Sequence, residues 1–99
     1  LIVPPLRHLI TSGHVTLWNP GLLLLNCVKA GFDCRDAKIK RRGYNIALIL
    51  RKKSCEPRFG FDLGDPFNER NHLPTGLRWR RDRRSGVWRF KGNFRSLNW

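Results

Sequence analysis

Residues 44–50 read Tyr-Asn-Ile-Ala-Leu-Ile-Leu, a short apolar run with cations packed at both ends. Lys38, Lys40, Arg41 and Arg42 precede it, Gly43 breaks the chain, and Arg51, Lys52 and Lys53 follow it. A run of this length and β-branched content, with clear boundaries, is the signature of a strand. Because both alternating sets of positions are apolar, it is expected to be a central strand covered on both faces. The two basic clusters would then lie at opposite rims, roughly 20 Å apart by strand rise. A chain of 99 residues makes one small domain with a modest core. The expected class is therefore α+β: a small single domain with a short sheet core, one helix near 21–30, and basic extensions or loops.

The rest of the chain divides around that strand. Residues 1–13 read as an extended arm that could lie against a partner, because Pro4-Pro5 disfavours helix. Residues 14–55 form the apolar core segment. Within it, His14 to Trp18 is rich in β-favouring residues and is expected to be a short strand ending at the Asn19-Pro20-Gly21 turn signal. Gly21 to Ala30 fits a helix capped by Gly31, with a buried strand as the alternative. Four consecutive leucines, 22–25, would require such a helix to be buried on most sides. Residues 56–76 carry Pro57, Gly60, Gly64, Pro66, Pro74 and Gly76 and read as a long loop. Residues 77–99 form a basic, aromatic C-terminal hairpin or tail, with two alternating stretches around Asp82 to Gly86.

Charge narrows the partners. The formal net charge is +13, and the first 34 residues contribute only +1 of it. The apolar first third is packing surface, and the basic remainder is anion-binding surface. Such a charge repels itself unless a polyanion answers it, and RNA is the expected polyanion, with neighbouring protein subunits as further partners. The last 23 residues hold eight cations, one acid and five aromatic rings. Arginine forks pair with phosphate, and flat rings stack on unpaired bases. The expected RNA-binding residues are Lys38, Lys40, Arg41, Arg42, Arg51, Lys52, Lys53, Arg78, Arg80, Arg81, Arg83, Arg84, Arg89, Lys91 and Arg95. Trp79, Trp88 and Trp99 are the stacking candidates. The competing reading makes the rings, Phe90 included, the hairpin's own core.

Catalytic and metal chemistry finds little to stand on. Cys27, Cys34 and Cys55 are odd in number and lack CxxC spacing, so reduced thiols are expected rather than a disulfide framework or a metal knuckle. Asp62, Asp65 and Glu69 are the only acid group worth testing, and Gly64 and Pro66 interrupt the helix they would need. His8, His14 and His72 are scattered, and no GxSxG elbow or P-loop is present. No catalytic residue, metal, cofactor or small-molecule substrate is expected. No apolar run approaches the roughly 20 residues of a membrane span, so membrane contact is not the leading expectation.

A small core, basic extensions, a partner-shaped loop and no catalytic set describe a structural RNA-binding subunit of a large ribonucleoprotein, most concretely a ribosomal protein contacting rRNA. The assignment is by physical class; no ribosomal motif is matched. The chain has no Met, even at position 1, as would hold equally for a processed chain, a trimmed one or a fragment of a longer one; with reduced thiols, a reducing compartment is expected, the mitochondrial matrix first among them. One resemblance offers an alternative. Gly86-Val87-Trp88-Arg89-Phe90-Lys91-Gly92-Asn93-Phe94-Arg95 resembles the closing strands of small basic toxins that cleave messenger RNA. That likeness would imply arginines that stabilise a pentavalent phosphate and a His or Lys as acid or base. A peripheral subunit of an organellar membrane complex, with 21–30 packed against other subunits, is the third reading.

Overall fold

The computed structural model describes residues 2–3, 18–43, 45–53 and 66–99. Helix α1 spans Pro20–Lys29 and starts where the chemistry favours a start. Asn19 is the N-cap, its Oδ1 accepting the Leu22 amide at 2.8 Å, and Pro20 at the first helical position needs no hydrogen bond to its nitrogen. The helix ends at Ala30, and Gly31 follows with φ of 93°, the left-handed exit that glycine allows. Between the helix and strand alternatives for this segment, the helix is what forms. Its leucines are not buried all round: Leu23 and Leu24 are in the core, while Leu22 is exposed.

Two antiparallel sheets complete the fold. The larger has strand order β1-β3-β2-β6, formed by Ile2–Val3, Asn45–Ile49, Lys38–Arg42 and Ser96–Leu97. The smaller is a hairpin of β4, Trp79–Arg81, and β5, Trp88–Phe90. A 3₁₀ helix, η1, spans Pro66–His72 inside the stretch expected to be loop. It packs against α1 and β5.

Strand β3 lies between β1 and β2, as a central strand should, but only one of its faces is covered. Ile46 and Leu48 are buried, whereas Asn45 and Ile49 are exposed. The inner face meets α1 and closes a core of Leu23, Leu24, Val28, Cys34, Ala37, Ile39, Ile46, Leu48, Leu73 and Leu77. The basic clusters are not at opposite rims either. Residues 38–42 are themselves strand β2, running back beside β3 so that Lys38 is opposite Ile49 and Arg42 opposite Asn45. Lys38 therefore stands at the end of the sheet from which Arg51 to Lys53 depart.

The C-terminal segment is part of the fold and not an appended tail. Trp79, Phe90, Phe94 and Leu97 pack against the core, and β6 adds to the edge of β2 through Ile39–Leu97 and Lys40–Ser96 pairs. Ile2–Val3, within the expected arm, pairs with β3 of its own sheet. Residues 14–17 of the expected 14–18 strand lie outside the described residues, and Trp18 precedes the helix without strand pairing. Cys55, Asp62, Asp65, His8 and His14 also lie outside them.

Candidate nucleic-acid interface

The hairpin sorts its side chains by strand alternation. Trp79 and Phe90 are direct partners on one face, with ring centroids 5.0 Å apart in an edge-on arrangement, and they pack on the core. On the other face Arg80 stands directly opposite Arg89. The ladder continues outward, where the Lys91 amide donates to the Arg78 carbonyl at 3.3 Å, so Arg78 and Lys91 share that face. All four cations are exposed. Among the described residues the acid beside these cations is Asp82, 3.8 Å from the Arg89 guanidinium. Its carboxylate also accepts the amides of Arg84 and Ser85, both at 2.9 Å, and these amides hold its carboxyl below the usual range.

A cleft of about 300 Å³ opens at the foot of this face, lined by Gly76, Leu77, Arg78, Lys91, Phe94, Ser96 and Leu97. Ser96 is in turn the register partner of Lys40, which puts the outer face of the larger sheet next to it. There Lys38, Lys40 and Arg42 point outward on alternate positions of β2, beside Asn45, Ala47 and Ile49 of β3. Trp99 comes to the same face: it lines a second cleft of about 310 Å³ with Lys40, Arg42, Asn45 and Ala47. Arg78 and Lys91 of the hairpin line the first cleft with Ser96, and Ser96 pairs with Lys40 of the second, so these cations are linked residue by residue and are together termed the basic track.

The expected binding residues separate by position. Lys38, Lys40, Arg42, Arg78, Arg80, Arg89 and Lys91 lie along the track. Arg41 belongs to the inner-face parity of Ile39, and its amide donates to the Arg95 carbonyl at 2.6 Å. Arg83 and Arg84 are exposed in the hairpin turn, while Arg81 caps that turn with Nε 3.1 Å from the Gly86 carbonyl. Arg51, Lys52 and Lys53 are exposed, but Lys53 is committed elsewhere. Its carbonyl accepts the Asp33 amide at 2.9 Å and its Nζ is 3.7 Å from the buried Asp33 carboxylate. Of the stacking candidates, Trp79 is a core ring, Trp88 is half-buried, and Trp99 is 48% exposed.

Asn45 and Ala47 in the second cleft, and Gly76, Leu77, Phe94, Ser96 and Leu97 in the first, are lining residues that sequence alone did not single out as binding residues. The alternation of Asn45, Ala47 and Ile49 within the run was the available signal for the first two. Among the described residues no group of three His, Cys, Asp or Glu side chains could hold a metal ion, and no helix is long and apolar enough to cross a membrane. In comparisons with known proteins the chain matches no family model, no curated protein and no solved structure.

Proposed function

We propose that this protein is a structural RNA-binding subunit of a large ribonucleoprotein, of the ribosomal kind, which holds RNA phosphates along the basic track. The observation that carries the reading is the hairpin face where Arg80 opposes Arg89 and Arg78 lies across from Lys91. Like charges directly opposed across strands destabilise a sheet. One acid, Asp82, cannot offset four cations, so this face is best satisfied by an external polyanion with regularly spaced charges. Arginine supplies three of the four, and its planar fork suits phosphate oxygens.

The test is the salt dependence of RNA binding. Replacing Arg78, Arg80, Arg89 and Lys91 with Gln should lower the slope of log K against log salt by about 3 on single-stranded RNA, at about 0.7 per phosphate contact. An unchanged slope would show that these residues do not contact phosphate. Cleavage of the RNA by the wild-type protein would replace this reading with the ribonuclease one.

A further inference from the structure

The cleft beside Trp99 has a construction that phosphate binding alone does not require. Ser96 and Leu97 alternate normally in β6, with Ser96 paired to Lys40 on the outer face and Leu97 to Ile39 on the inner. Continued alternation would send Trp99 inward with Leu97. Instead Asn98 has φ of 55°, the left-handed region that Asn tolerates better than most residues. The chain turns there, and Trp99 lines the outer-face cleft. Trp99 is 48% exposed and is not among the residues packed on the core. Ala47 contributes only a methyl group to the floor, which leaves the hollow open. Lys40 and Arg42 supply positive charge, and the Asn45 amide supplies a donor and an acceptor.

From this geometry we infer that the cleft of Lys40, Arg42, Asn45, Ala47 and Trp99 is a binding site for one unpaired base of single-stranded RNA. Trp99 is the stacking platform. Lys40 and Arg42 hold the phosphates on either side of the stacked nucleotide, and Asn45 faces the base edge. The site's volume, about 310 Å³, is at the small end of ligand pockets, suited to a single ring system. A duplex keeps its base faces stacked internally, so the indole favours an unpaired strand, whereas the hairpin cations attract either form. The inference rests on the RNA-binding reading and adds strand selectivity to it.

The experiment measures binding of a fluorescein-labelled 12-nucleotide uridine-rich RNA, and of a 12-base-pair RNA duplex, to the wild-type protein and to Trp99→Ala, Trp99→Phe and Asn98→Val. Trp99→Ala should weaken single-strand binding by about tenfold, the worth of one stacked base, and leave duplex binding unchanged. Trp99→Phe should retain most of the affinity. Asn98→Val keeps the indole but disfavours the left-handed turn, so it should reproduce the Trp99→Ala loss. Circular dichroism of each variant fixes that the fold is intact. If Trp99→Ala leaves single-strand binding unchanged, or weakens both substrates equally, the stacking site is overturned while RNA binding stands. If the wild-type protein binds neither RNA, both readings fall together.

Discussion

The Gly21 amide donates to the Gly92 carbonyl at 2.8 Å, across an approach so close that a Cβ on Gly21 would overlap Gly92 Cα. The same Cβ would come within 2.7 Å of Phe90 Cε2. One of the helix's unpaired N-terminal amides is thus satisfied by the segment leaving the hairpin. Asn19 supports the junction from the other side, because its Oδ1 caps Leu22 and lies where a Gly92 side chain would be. This contact fixes the hairpin against the helix and so sets where the cationic face points.

Gly21→Ala is accordingly expected to destabilise the protein. In an ordinary exposed helix the change would stabilise by about 1 kcal/mol. Here the obstacle is backbone, which cannot swing aside, and overpacking of this kind costs about 1–3 kcal/mol. Urea unfolding checks the sign: a midpoint raised by the substitution would mean that the two segments are not in close contact.

Acid should weaken the fold through Asp33. Its side chain is buried, and the Arg35 guanidinium grips both carboxylate oxygens, with Nε at 3.1 and 3.0 Å and Nη2 at 2.6 Å. That hydrogen bonding, with the Arg35 amide and the nearby Lys53 ammonium, brings the Asp33 carboxyl down to about 2. Its unfolded value is about 3.9. A depressed folded value means the carboxylate's contribution is complete above about pH 4 and is lost as pH falls toward 2. Asp33→Asn should be less stable at pH 7 and should show a shallower loss of stability between these values. A variant with the same acid profile as the wild type would remove Asp33 as the cause.

These contacts show where the sequence was readable and where it was not. Gly31 marks the end of α1 through local backbone chemistry, so a helix over 21–30 was legible beside its strand alternative, whereas Asn19-Pro20 reads as a turn signal and is in fact the N-cap and first residue of the helix. The hairpin was legible from the alternation of Leu77–Arg81 and Val87–Lys91. Strand β2 was not, because Lys38-Ile39-Lys40-Arg41-Arg42 has a single aliphatic residue, and its strand form comes from pairing with β3. Strand β6 has two residues, too few for any period. At the candidate site, the cations could be named from composition, but their grouping could not. Which of Lys40 and Arg41 faces outward depends on register, and the position of Trp99 depends on one backbone angle at Asn98.

Cys27 should react as an activated thiol. The Cys34 thiol hydrogen-bonds to it and brings it down to about 7, against the opposing effect of burial. Cys27 is half-buried and Cys34 fully buried, so alkylation should select Cys27. In a Cys55→Ser background, the rate of iodoacetamide labelling should rise with a midpoint near pH 7. Cys34→Ala removes the hydrogen bond and should move that midpoint up toward the ordinary value of about 8.5. An unmoved midpoint would assign the shift to another group.

Asp82 separates the hairpin's architecture from its charge. As an acceptor, its Oδ1 holds the Arg84 and Ser85 amides and shapes the turn that Gly86 completes with φ of 70°. As a charge, it sits 3.8 Å from Arg89 and partly neutralises the face proposed to bind phosphate. Asp82→Asn keeps a carbonyl oxygen for the two amides and removes the negative charge. It should preserve the hairpin, tighten RNA binding a few-fold at low salt, and lose that advantage as salt screens the face. Asp82→Ala removes the acceptor too, so the turn should loosen. Hydrogen exchange then reads the difference: the Gly86 amide, bonded to the Asp82 carbonyl at 2.9 Å, should keep its protection in Asp82→Asn and lose it in Asp82→Ala. Weaker RNA binding by Asp82→Asn, with the Gly86 amide still protected, would mean that the Arg80–Arg89 face does not meet phosphate.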